Sequence, residues 1–95
     1  MAGKKVVITG GAGLIGSILT GRLGDRHEFS SFDLREADGV ESYVGDLGSL
    51  DDLRNAFEGK EVVVHLAADR SAHAPWDSAL QHNFIGTYNV FEAAR

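Results

Sequence analysis

Apolar residues come in short bursts along this chain, and their spacing alternates between two periods. Lys4–Thr9 holds the continuous run Val6-Val7-Ile8, the pattern of a strand covered on both faces. Leu14, Ile15, Ile18, Leu19 and Leu23 then recur at helical spacing and predict a helix from about Gly13 to Leu23. Glu28–Phe32 and Val40–Val44 are weaker strand patterns. After them, Ser49 offers an N-cap for a helix that points Leu50, Leu53 and Phe57 inward, with Asp51 and Asp52 in its first turn and a stop near Gly59. Glu61–Ala67 repeats the doubly covered strand pattern through Val62-Val63-Val64. Leu80, Phe84, Tyr88 and Phe91 mark a last helix that begins just after Pro75 and runs to the chain end without a stop signal.

Strands alternating with helices predict an α/β fold with a parallel sheet. The expected architecture is the N-terminal portion of a Rossmann-type doubly wound sheet, with about four strands and three helices. One joint strains it. About seven residues separate the second strand from the third, where parallel pairs usually need a crossover of a dozen or more. A hairpin is the alternative, and a cramped parallel crossover is preferred only because of the family resemblance given below.

Composition narrows the reading. The 95 residues include no cysteine, one proline and no apolar run near the ~20 residues a bilayer demands. Disulfide and thiolate-metal frameworks are therefore excluded, as is a membrane partner. Glycines at 10, 11 and 13 break the first apolar stretch too early for a signal segment, so a cytoplasmic setting is expected. A net charge of −5 with no basic cluster beyond Lys4-Lys5 argues against nucleic acid. His27, His65, His73 and His82 are scattered and suggest no metal site; His65, at a strand end, reads as a buried, hydrogen-bonded ring. Trp76 reads as a packing anchor.

The chemistry concentrates in Thr9-Gly10-Gly11-Ala12-Gly13-Leu14-Ile15-Gly16, where the first strand turns into the first helix. Such a turn sets bare amides and a positive helix end at the carboxyl edge of the sheet, a place that binds a pyrophosphate. Gly16 would let the helix pack closely. No Lys-Ser or Lys-Thr follows, which excludes a P-loop nucleotidase. Two fingerprints overlap here, Gly11-x-Gly13-x-x-Gly16 and Gly10-x-x-Gly13-x-x-Gly16, and the loop alone does not choose between them. Asp33, at the tip of the second strand, is placed to accept hydrogen bonds from the adenosine ribose hydroxyls. It favours NAD over NADP, with the nearby Arg35 pointing the other way.

Three further segments resemble the extended short-chain dehydrogenase/reductases, the NAD-dependent epimerase/dehydratase family. They are Gly45-Asp46-Leu47, His65-Leu66-Ala67-Ala68 and the stretch Asn83-Phe84-Ile85-Gly86-Thr87-Tyr88-Asn89-Val90-Phe91-Glu92-Ala93-Ala94. Trp76-Asp77-Ser78 and the last helix are similar to uronate dehydrogenases and related sugar dehydrogenases. The resemblance implies that Gly10, Gly13, Leu14 and Ile15 lie along the pyrophosphate. Asp33, Leu34 and Arg35 would hold the ribose, Asp46 and Leu47 the adenine, and Leu66, Ala67 and Ala68 the nicotinamide side. Asn83 matches a family asparagine near the cofactor; a helix–sheet bridging amide is the equal alternative. Arg70 and Ser71 are candidates for touching a sugar substrate.

Family catalysis uses Tyr-x-x-x-Lys with a Ser or Thr. Four residues after Tyr43 and Tyr88 stand Leu47 and Glu92, so no catalytic residue is assigned. The expectation is that residues 1–95 form a partial NAD-binding domain, truncated relative to a parent oxidoreductase or epimerase and inactive alone. The parent would act on a sugar and form homo-oligomers through helices outside this chain. The alternative is a non-catalytic NAD(H)-binding sensor or regulatory module.

Overall fold

The computed structural model describes residues 3–69 and 73–95. Four strands, β1 (Lys5–Thr9), β2 (Glu28–Asp33), β3 (Glu41–Val44) and β4 (Val62–His65), form one sheet in the order β3-β2-β1-β4. All three pairings are parallel, so the short link between β2 and β3 is a parallel crossover and not a hairpin. The predicted α/β Rossmann-type architecture is the one found.

Helix α1 (Leu14–Leu23) follows β1 and buries only Gly16, whereas α2 (Leu50–Phe57) follows β3 and buries Leu53, Ala56 and Phe57. The last helical stretch comprises α3 (Trp76–Ser78), a π-helical segment (Ala79–Ile85) and α4 (Gly86–Ala94). Ser49 caps α2 as its position predicts, its hydroxyl accepting from the Asp52 amide at 3.2 Å. The main core joins Val7 and Phe32 of the sheet to Leu47, Leu53, Ala56, Phe57 and Val90 on the α2–α4 side. Among the described residues no helix is long and apolar enough to cross a membrane.

Three expectations about burial need correction. Val62 is exposed and its two neighbours are only half-buried, because β4 is an edge strand with no strand beyond it among the described residues. Phe84, Tyr88 and Phe91 keep a helical period yet lie on the outside; the inner face of α4 is Gly86, Asn89 and Val90. Small side chains there allow close approach, since a Cβ on Gly86 would stand 2.9 Å from Leu47 Cβ. Trp76 is likewise exposed and leans on the Phe84 ring, with centroids 5.9 Å apart, so it anchors no core.

Candidate functional site

A cavity of about 900 Å³ runs along the carboxyl edge of the sheet. Its walls come from every turn that leaves that edge, as expected for an open parallel sheet, where ligands bind outside the strand ends. Gly10, Gly13, Leu14, Ile15 and Gly16 line it from the β1–α1 turn, Asp33 and Leu34 from the end of β2. Asp46 and Leu47 follow β3, and Leu66, Ala67 and Ala68 follow β4. Arg35 and Asn83 lie outside the lining. Arg70 and Ser71 fall outside the described residues. Phe32, Gly45, Asp69 and His82 also line the cavity and were not anticipated.

The β1–α1 turn depends on two glycines for its shape. Gly10 has φ +79°, and a Cβ on it would come within 2.9 Å of the Ala67 amide nitrogen. At Gly16 a Cβ would meet the Gly11 Cα at 2.7 Å, so the helix seats on the glycine turn itself, where the sequence pattern suggested the strand. Helix α1 has Gly13 at its N-cap, no side-chain cap and no acidic residue in its first turn. Its leading amides therefore point at the cavity without a side-chain acceptor, and the helix dipole adds positive potential there. A Cβ on Gly13 would meet a single atom, the Gly10 carbonyl oxygen at 3.3 Å, so this position opens onto free space that a side chain would fill.

Asp33 braces that turn. Its Oδ2 accepts from the Ala12 amide at 3.1 Å and its Oδ1 from the Leu34 amide at 2.7 Å. Each carboxylate oxygen retains a lone pair, which leaves acceptor capacity for ribose hydroxyls. Arg35 does not face the cavity: its Nη2 donates to the Ala12 carbonyl at 3.0 Å, fastening the turn from outside. At the end of β3, Asp46 Oδ1 accepts from the Gly48 amide at 2.8 Å, and Asn89 of α4 donates to the Leu47 carbonyl at 2.9 Å. These bonds hold the Asp46–Leu47 wall.

The β4 side is built from a network that spans the sheet. Thr9, fully buried, accepts from the Leu66 and Ala67 amides at 3.1 and 3.3 Å and lies 2.6 Å from His65 Nδ1. His65 Nε2 lies 3.2 Å from the Thr87 hydroxyl of α4. Burial lowers the pKa of His65 below the ordinary histidine value. The ring is thus hydrogen-bonded at both nitrogens, as its place at a strand end suggests, but it is only half-buried. Beyond it, Asn83 bridges helix and loop with both ends of its amide: Oδ1 accepts from the Asp69 amide at 2.8 Å and Nδ2 donates to the Asp69 carbonyl at 3.1 Å. Ser78 donates to the Asp69 carboxylate, and His82 Nδ1 donates to the Ser78 carbonyl at 3.1 Å.

A family model for the NAD dependent epimerase/dehydratase family matches residues 6–95. The chain belongs to this family. Among its relatives, an L-arabinose 1-dehydrogenase (NAD(P)(+)) of Haloferax volcanii is 41% identical over 90 residues, covering 95% of this chain and 35% of that protein. A uronate dehydrogenase of Agrobacterium fabrum is 33% identical over 97 residues, covering 97% of this chain and 36% of its own length. The crystal structure of a uronate dehydrogenase from Agrobacterium tumefaciens superposes with a TM-score of 0.87 at 34% identity, covering 100% of this chain and 37% of that one. A mutant of it complexed with NAD gives a TM-score of 0.86 at 33% identity, covering 98% and 37%. The chain spans a little over a third of the length of these relatives. The resemblance carried by the four motifs is therefore a true family relationship; the glycine turn, Gly45-Asp46-Leu47 and Leu66-Ala67-Ala68 line one cavity, and Asn83–Ala94 does not.

Proposed function

We propose that this chain is the NAD-binding part of an oxidoreductase or epimerase that acts on a sugar or sugar derivative. The observation that carries the reading is the single cavity gathering the glycine turn, Asp33, the Asp46–Leu47 wall and the Leu66–Ala68 arm. A dinucleotide fits these residues in chemical kind. The uncapped amides of α1 suit a pyrophosphate, and the open space at Gly13 suits its close approach. The spare acceptor sites of Asp33 suit a ribose diol and disfavour a 2′-phosphate, which selects NAD. Support comes also from the relatives, which include arabinose, glucose-6-phosphate and uronate dehydrogenases.

Bound NAD would supply hydride acceptance at its nicotinamide ring. The chain's own contribution is to bind and orient: the glycine turn holds the diphosphate, Asp33 the adenosine ribose, and the apolar Leu66–Ala67 arm excludes water on the nicotinamide side. Proton transfer to a sugar hydroxyl has no agent here, since neither Tyr43 nor Tyr88 is followed by lysine at the fourth residue. We assign residues 1–95 to a partial domain that binds NAD and turns over no sugar by itself. The parent enzyme is a cytoplasmic homo-oligomer with no nucleic-acid or membrane partner.

Parallel titrations with NAD and NADP test the reading. NAD should bind more tightly, and Asp33→Ala should weaken NAD by about tenfold, the size of one charged hydrogen-bond acceptor lost, while touching NADP less. Equal losses for both coenzymes would remove the ribose assignment.

A further inference from the structure

The Thr9 hydroxyl has three polar neighbours. Its Oγ1 accepts from the Ala67 amide at 3.3 Å and shares the Leu66 amide, at 3.1 Å, with the Thr9 carbonyl oxygen at 3.0 Å, so both lone pairs of the hydroxyl face amide hydrogens. The hydroxyl's own hydrogen is then left to point at His65 Nδ1, 2.6 Å away. In that arrangement Nδ1 is the accepting nitrogen, and the ring proton sits on Nε2 and donates to the Thr87 hydroxyl at 3.2 Å. A protonated ring would direct a second hydrogen at an oxygen with no lone pair to spare.

The consequence reaches the cavity. The two amides that Thr9 holds belong to Leu66 and Ala67, and both residues line the cavity. Gly10 has its left-handed turn pressed against the same Ala67 nitrogen. One neutral imidazole therefore ties the β4 arm, the glycine turn of β1 and helix α4 together. We propose that His65 is a positioning residue, a pin that sets the Leu66–Ala67 arm for dinucleotide binding only while its ring is neutral.

This inference rests on the dinucleotide reading of the cavity and adds a regulation to it. The groups facing the ring are Thr9 from β1 and Thr87 from α4, and neither carries a charge. Asp69, in the loop after β4, has its carboxylate bonded to Ser78, and His82 bonds Ser78 as well. Burial is the cause of the lowered His65 pKa, which agrees with a ring that folds neutral. The sign follows from linkage. A folded pKa below the unfolded value of about 6.5 makes the pin's contribution complete above that pH and lost as the pH falls through the folded value.

The test is NAD affinity as a function of pH in the complete protein, for the wild type, His65→Asn and His65→Leu. Asparagine places an oxygen near the Nδ1 position, accepts from Thr9 and does not titrate. Wild-type affinity should fall roughly tenfold from about pH 8 to about pH 5, the size of a lost buried hydrogen bond, with His65→Asn changing less than about twofold. His65→Leu should bind weakly across the whole range. Since His82 also lines the cavity, an asparagine variant that keeps the full wild-type pH dependence overturns the pin. So does a wild type whose affinity is flat. Nitrogen-15 spectra of the imidazole separate this from the coenzyme assignment: a protein that binds no NAD at any pH refutes the dinucleotide reading, while a ring protonated on Nδ1 refutes the pin on its own.

Discussion

Helices α1 and α2 leave the same edge of the same sheet, and their N-termini are built in opposite ways. Helix α2 is closed: Ser49 caps it, and Asp51 and Asp52 sit in its first turn against the positive end of the dipole. Helix α1 is open, with glycine at the cap, no side-chain capping bond and no acidic residue in its first turn. Every helix leaves its first amides without an internal partner. Where stability alone is at stake a chain closes that end, and α2 does so at a cost of one serine. An end left open beside a large cavity keeps its donors and its potential for a ligand. The contrast locates the anion site more sharply than glycine spacing does.

The hardest way to break this comparison is to fill the open end. Gly13 has φ −82° and ψ −179°, ordinary extended backbone, so valine brings no backbone strain there and its Cβ only presses the Gly10 carbonyl oxygen at 3.3 Å. Its side chain would occupy the space in front of the first turn of α1. Gly13→Val should keep the far-ultraviolet circular dichroism of the wild type and lose NAD affinity by more than about a hundredfold, because the pyrophosphate and the isopropyl group compete for one volume. A folded variant with native affinity would move the anion site elsewhere.

A milder change makes α1 resemble α2. Ile15 is half-exposed in the first turn of α1. Ile15→Glu would bring in the acid that α2 already carries, favourable to the helix and unfavourable to an anionic ligand. NAD should bind about tenfold less tightly, while the melting of the unliganded protein stays within about 0.5 kcal/mol of wild type. Both quantities falling together would mean that the acid acts through the fold and not through the field.

How much of this was legible depends on how local each feature is. The glycine turn, the Ser49 cap and the Asp33 tip each occupy a few consecutive residues, and a strand pattern or helix pattern on either side gives them their place. The Thr9–His65–Thr87 network joins residues far apart in sequence, and no spacing announces it; only the place of His65 at a strand end hinted at a hydrogen-bonded ring. The π-helical segment at Ala79–Ile85 was invisible too, since its defining bond, Gly86 amide to Gln81 carbonyl, skips five residues and leaves no compositional mark. That segment carries His82, a cavity wall missed from sequence, and Asn83, whose amide is spent on Asp69. Aromatic period misled at α4 because the inner face is chosen by what fits against Leu47, and glycine, asparagine and valine fit.

The closed end should answer in stability and leave binding alone. Ser49→Ala removes the hydroxyl that accepts from Asp52. Loss of such a cap costs about 1 kcal/mol. Denaturant titration should show that loss with an unchanged slope, and NAD affinity should stay within about twofold of wild type, the helix being intact. A variant that lost affinity in step with stability would couple α2 to the cavity and blur the division between the two ends.

The smallest effect concerns the floor under the open end. Ser31, nearly fully buried on β2, has a hydroxyl with no hydrogen-bond partner. It lies directly beneath the glycine turn, where a Cβ on Gly11 would come within 2.4 Å of its oxygen. An unpaired buried hydroxyl costs about 1–3 kcal/mol of desolvation, and alanine keeps the methylene that supports the turn while removing the oxygen. The cavity left by one oxygen atom offsets part of the gain. Ser31→Ala should therefore raise stability by up to about 1 kcal/mol, with NAD affinity unchanged, because the amides that face the ligand are untouched. Destabilisation by a similar amount would show that the hydroxyl works through an ordered water beneath the turn, and the open end would then rest on solvent as well as on backbone.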